Sequence, residues 1–300
     1  MQAKTRNRLL LAIVIFAPAL LFLGFFIFMS ADRIPLPPLP AQNGYSDLVK
    51  AGAMASESTN ELDKMDQQEL RAIVAQNSAA LTLARSALSN QCAVPMQFSQ
   101  DYINKHLDDL SGLKRMGVAF AAEGRLAEME NRPNDAVHSF LDVIRMGDAS
   151  SRGGALIDEL VGIALYQIGG AHLQKIIPQL DTQTSREAAS ELESLDSQRQ
   201  TWDDVMQQEQ GWSQRTFTGF GYELARIEER RSLAVAFQRS EKKYAASEQK
   251  QRQLIIDLAA HAYTLDKGKP PTSASDLIPD YLKAVPVDPI SGAKMGLSGP

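Results

Sequence analysis

From Leu9 to Met29 the chain reads LLLAIVIFAPALLFLGFFIFM, without a single charged residue. A helix needs about 20 apolar residues in a row to cross the hydrocarbon of a bilayer, so this segment is expected to span a membrane. Pro18 and Gly24 do not argue against it, because both are more frequent in membrane helices than in soluble ones. From Tyr45 to about Leu265 the pattern changes. Apolar positions there recur at three- and four-residue intervals, the period of a helix with one buried face, and no strand-like alternation is seen before the tail. The expected class is therefore mainly α. It comprises a basic N-terminus (1–8), a transmembrane helix (9–30), a proline-rich linker (31–43), an α-helical bundle domain (44–265) and a small extended, turn-rich tail (266–300).

Charge gives the span a direction. Lys4, Arg6 and Arg8 precede it, while Asp32 and Arg33 cancel after it. The positive-inside rule leaves such an N-terminus in the cytoplasm and exports the bulk of the chain, as in a single-pass protein of a bacterial inner membrane. A cleaved signal peptide is the rival reading. It wants small residues at the last and third-last positions before the cut, and cuts after Ala31 or Ser30 would place Met29 or Phe28 at the third-last. The expectation is an uncleaved signal-anchor. Pro35, Pro37, Pro38 and Pro40 follow; such a density favours polyproline II, a stiff spacer rising about 3 Å per residue.

The helical region resolves into segments. A short helix is expected at Gly44–Ala55. A second begins at Asp66, with Glu69 as its capping-box partner, and buries Leu70, Ile73, Val74, Leu81 and Leu88. A hairpin follows: Leu107, Leu110, Leu113, Phe120 and Leu126 mark the first arm, and Ala136, Val137, Phe140, Leu141 and Ile144 the second. ENRPND makes the turn and Pro133 suits the opening turn of a helix. Gly124 and the Ala136–Phe140 pair resemble one tetratricopeptide repeat, with no second copy at the 34-residue period of that family. The segment from Gly153 to Leu180 is expected as a central core helix burying Leu156, Leu160, Ile163, Ala164 and Ile168, with Gly162, Gly169 and Gly170 for close packing. Asp158, Glu159 and Gln167 argue against a second span. A further helix is expected from Thr184, with Glu187 as its box partner, carrying Trp202, Val205, Met206, Glu209 and Trp212 on one face, its two tryptophans clamping it to the bundle rather than forming a ligand cage. A long amphipathic helix then runs from Tyr222 to about Leu265, with Glu248 and Arg252 paired on a solvated face.

Composition narrows the chemistry mostly by exclusion. A net charge of -5 with both signs interleaved offers no basic stripe, so no nucleic-acid partner is expected. Cys92 is the sole cysteine, which removes disulfides and CxxC metal or redox pairs; a small buried residue is expected there. His106, His138, His172 and His261 are scattered without metal spacing, and no phosphate-binding loop or nucleophile elbow is present. No catalytic, cofactor-binding or metal-ligating set is assigned. Asp158 and Glu159 on the apolar helix are the strongest catalytic candidates, against capping or pairing with an arginine. Adjacent acids on a helix, as at Asp203–Asp204 too, point apart.

The tail has a recognisable order: Ala262-Tyr263 at a helix end, then Asp266, Gly268, a proline, the short SASDLI helix, and YLKAVPVDPISG before a turn. It resembles the segment after the long helix of the major pseudopilins of type II secretion and related type IV pilin-like proteins. The whole layout is similar to uncharacterised bacterial membrane-anchored helical proteins that end the same way. Pro270 stands where that family favours Tyr, and no Gly precedes Gly24 as a processing site. In some pseudopilins an acidic loop here binds calcium, but Asp288 is a single carboxylate and calcium takes six to eight oxygens. The tail is expected to fold over the apolar stripe around Leu254, Ile255 and Leu258 through Leu277, Ile278, Tyr281, Leu282 and Val285. The functional expectation is a non-catalytic, membrane-anchored envelope scaffold or interaction protein with a protein partner. The alternatives are an enzyme with a dispersed site and a pseudopilin-like secretion component.

Overall fold

The computed structural model describes residues 34–56, 61–216 and 220–298, with side chains for all of these except 100 and 220–233. The expected membrane span and basic N-terminus lie outside the described residues. Among those described, no helix is long and apolar enough to cross a membrane. The chain divides into one unit over 1–35 and another over 36–300.

Among the described residues the second unit holds eight α-helices and no strand: α1 (Tyr45–Met54), α2 (Gln67–Leu88), α3 (Gln100–Met129), α4 (Pro133–Ser151), α5 (Leu156–Ile176), α6 (Thr182–Ser197), α7 (Trp202–Thr216) and α8 (Phe220–Lys267). The mainly helical class follows directly from the periodicity. α4 packs on both α3 and α5, and α6 packs on α8; α5 also touches α3 and α8, and α4 touches α2 and α6. α1 covers α2 and α3 at one end. One apolar core forms around Leu48, Leu70, Leu113, Met116 and Phe120, and a second around Phe140, Leu173, Leu192 and Leu258.

Local signals placed several ends correctly. Asp66 accepts from the Glu69 amide while the Glu69 carboxylate accepts from the Asp66 amide, the reciprocal box expected at α2. α6 starts earlier than expected, because Asp181 rather than Thr184 is the cap and accepts the Thr184 amide. The single helix expected from Thr184 through Trp212 is two. Arg199 and Gln200 turn inward between α6 and α7, and Thr201 with Asp204 forms a fresh capping pair that restarts the helix.

The α5 face also differs from its apolar pattern. Leu156, Leu160, Ala164 and Ile168 are only half-buried, while Asp158, Glu159, Leu165 and Tyr166 go fully inside. Periodicity treats acids as outward-facing; here each has a partner waiting in the interior, which offsets part of the penalty of burial. Gly162 meets Gly147 so closely that a Cβ on Gly162 would stand 2.8 Å from the Gly147 carbonyl oxygen, bringing α4 and α5 together. Gly170 is different: a Cβ there would meet only Leu254 Cδ2, at 3.7 Å, so packing does not require it.

α8 runs 48 residues and ends at Gly268, which takes the left-handed conformation (φ +69°) that stops a helix. Glu248 and Arg252 do pair, at 2.6 Å, yet on no solvated face: Arg252 also donates to Asp196 of α6 and to the Val287 carbonyl of the tail. The tail lies back on α6 and α8. Leu277, Tyr281 and Leu282 join the core cluster that holds Leu254, Ile255 and Leu258, while Ile278 stays outside. Arg186 donates to the Asp280 carbonyl, Glu193 accepts the Lys283 amide and the Tyr281 hydroxyl donates to Asp266. Val287 and Lys294 form a single antiparallel bridge around the Asp288 turn, a hairpin reduced to one pair.

Candidate functional site

The richest polar geometry forms where α3, α5 and α7 meet, and it includes Asp158. Ser99 caps α3 through the Tyr102 amide, which sets the first turn so that Tyr102 and His106, four residues apart, share a face. Their rings stack at 4.9 Å. Across the gap, Asp158 Oδ2 accepts the Ala155 amide and closes the first turn of α5. Its Oδ1 lies 2.6 Å from His106 Nε2. With Nε2 donating to Asp158, Nδ1 accepts from the Tyr102 hydroxyl at 3.1 Å. Glu209 of α7 accepts the Leu156 amide at 2.9 Å, and Trp212 Nε1 donates to the Gln97 carbonyl at 2.9 Å. Tyr102, His106, Asp158, Glu209 and Trp212 line a cavity of about 300 Å³ whose remaining lining is apolar.

An Asp–His–Tyr chain invites comparison with a charge-stabilised nucleophile, but the chemistry points elsewhere. Burial, and then the Asp158 charge, push the Tyr102 phenol above its ordinary range, so it holds its proton rather than giving up a phenolate. Asp158 is itself held by a backbone amide. Burial raises the Glu209 carboxyl as well, its bond to Leu156 offsetting only part of the rise. The arrangement orders α3, α5 and α7 around the cavity.

Glu159 points the other way, as neighbouring helix positions must. Arg199 donates to it at 3.3 Å and to Gln251 at 3.0 Å, with its guanidinium over the rings of Tyr166 and Tyr244 at 4.8 and 4.7 Å. Beside this nest, between α5 and α8, lies a second hollow of about 480 Å³ bordered by Gly170 and Leu254. The Tyr166 hydroxyl, Ser247 Oγ and Gln251 Nε2 around it have no hydrogen-bond partner among the described residues.

The other sequence candidates are dispersed. Cys92 is buried, with its thiol pushed up to about 11 by burial, which keeps it protonated. His172 stacks on Phe140, His261 contacts the Leu180 carbonyl and His138 is exposed. Asp203 is exposed and Asp204 caps α7. Asp288 accepts the Ile290 amide and the Gln249 side chain. Among the described residues no three His, Cys, Asp or Glu side chains gather as a metal site would. Sequence reasoning does not place Tyr102, Arg199 or Glu209 in these sites. The four-residue Tyr102–His106 spacing and the shared helix face of Glu209 and Trp212 are visible signals; the other partners come from distant segments. Comparison of the chain with protein-family models, curated sequences and solved structures finds no match.

Proposed function

We propose that this protein is a membrane-anchored interaction module of the bacterial envelope, tethered by residues 9–29 and carrying no reaction of its own. One observation carries the non-catalytic part: both acids best placed for chemistry, Asp158 and Glu159, are already taken up by internal partners, His106 with the Ala155 amide and Arg199. The contiguous packing of successive helices supports a binding scaffold. So does the close seat of Phe140 against Gly124 in the helical hairpin, where a Cβ would stand 2.4 Å from Cε1. The pilin-like order of the tail favours the envelope as its site.

Reporter fusions after Gln42 test the topology. Alkaline phosphatase, active only when exported, should be active there, and the full chain should stay with the membrane after a carbonate wash. A reporter active only in the cytoplasm at that position, or release by carbonate, would refute the anchor.

A further inference from the structure

The cavity between α3, α5 and α7 opens among large apolar side chains that a free surface rarely gathers. Leu107 and Ile157 line it and are 44% and 42% exposed. Phe98, 41% exposed, continues the patch under the Arg215 guanidinium, beside the Gln97 carbonyl that holds Trp212. Clustered apolar exposure of this kind marks a surface with a partner. Inside, each polar side chain is already bonded: Tyr102 to His106, His106 to Asp158, Asp158 to the Ala155 amide, Glu209 to the Leu156 amide and Trp212 to Gln97. A ligand bearing donors or acceptors would find little to replace the water it loses. Hydrocarbon loses nothing there, and apolar cavities of about 150 Å³ already take up small hydrocarbons.

The position of the linker says where hydrocarbon would come from. Asn43 is pinned to Ala93 by two hydrogen bonds, and Pro37 passes Gly153, where a Cβ would lie 3.7 Å from its Cγ. Gly153 is two residues from Ala155, which lines the cavity. If Met29 ends the span, the residues from Ser30 to Leu36 reach roughly 25 Å at full extension. The linker thus enters the bundle beside the segment that lines the cavity. We propose that this groove takes up an acyl chain of a bilayer lipid, an inference that rests on the anchor reading above.

The test uses the full chain in liposomes of phosphatidylethanolamine and phosphatidylglycerol with a trace of phosphatidylethanolamine carrying a diazirine at the end of one acyl chain. After irradiation, mass spectrometry maps the lipid adducts. Adducts are expected both within 9–29 and on the groove segments around Leu107, Ile157 and Trp212. Leu107→Glu with Ile157→Glu, both at exposed positions that the core does not depend on, should lower the groove adducts about tenfold relative to those in the span, because each places a charge where methylenes would lie. Adducts confined to 9–29 overturn the groove proposal and leave the anchor standing; chain-to-chain links in their place would assign the groove to a second copy. Absence of adducts from 9–29 overturns both. A headgroup-borne diazirine labelling the groove as strongly as the acyl probe also overturns it, since the groove would then only rest on the surface.

Discussion

Glu159 and Arg199 face each other 3.3 Å apart with side chains only 4% and 6% exposed, one at the start of α5 and the other between α6 and α7. Burial raises the Glu159 carboxyl above its ordinary range, and the guanidinium offsets part of that rise. Breaking a buried pair from one side leaves a bare charge in a dry place. Arg199→Met should therefore lower unfolding free energy by about 3–5 kcal/mol. Adding Glu159→Leu to that variant should restore much of the loss, because no charge then remains to be solvated. Urea denaturation followed through the fluorescence of Trp202 and Trp212, the chain's two tryptophans, measures both. A double variant no more stable than the single one would contradict this account.

Glu209 predicts a pH signature. Its carboxyl is raised in the folded state, so between the unfolded value, about 4.3, and the raised folded one the native state binds more protons. Stability then falls as pH rises through that window and is fully regained below it. Glu209→Gln keeps an acceptor for the Leu156 amide and does not titrate. It should be more stable than the wild type at pH 7, with the difference gone near pH 4. An offset that is the same at both pH values would show that Glu209 titrates normally.

Two glycines of one helix should respond oppositely. Gly162→Ala drives a methyl into the Gly147 carbonyl oxygen, and relieving that overlap by separating α4 from α5 should cost about 1–3 kcal/mol. Gly170→Ala meets only the end of Leu254 and should gain up to about 1 kcal/mol from helix propensity. Thermal melts of the two variants read the signs directly.

The tail acts as a clasp in the fold, and its side chains differ in how much they bear. Leu282, 1% exposed within the second core, should lose about 2–5 kcal/mol on replacement by Ala. Ile278, 39% exposed, should lose about 0.5 kcal/mol or less. Deleting Pro270–Pro300 should bring early protease cleavage near Leu254, which limited proteolysis reports. Equal losses at Leu282 and Ile278 would mean the tail does not hold the stripe.

Much of this architecture was legible because it is local. The Asp66–Glu69 box, Pro133 at the head of α4 and Gly268 at the end of α8 act within a few residues, where backbone hydrogen bonding and allowed dihedrals decide the outcome alone. The hairpin arms and the return of the tail could be read from apolar spacing, since burial of a stripe demands a cover. Asp158 and Glu159 stand out in the sequence, but nothing there names what they meet. Charged groups enter an interior only with a partner, and His106 lies 52 residues from Asp158 and Arg199 lies 40 from Glu159, separations no spacing rule encodes. The same cause turned α5 about its axis, broke the helix expected from Thr184 at Arg199, and drew Arg252 from a solvated face into the joint with Asp196. Short-range chemistry set the helices and their ends; pairing of distant polar groups in a low-dielectric interior decided which faces turned inward and where the groove opened.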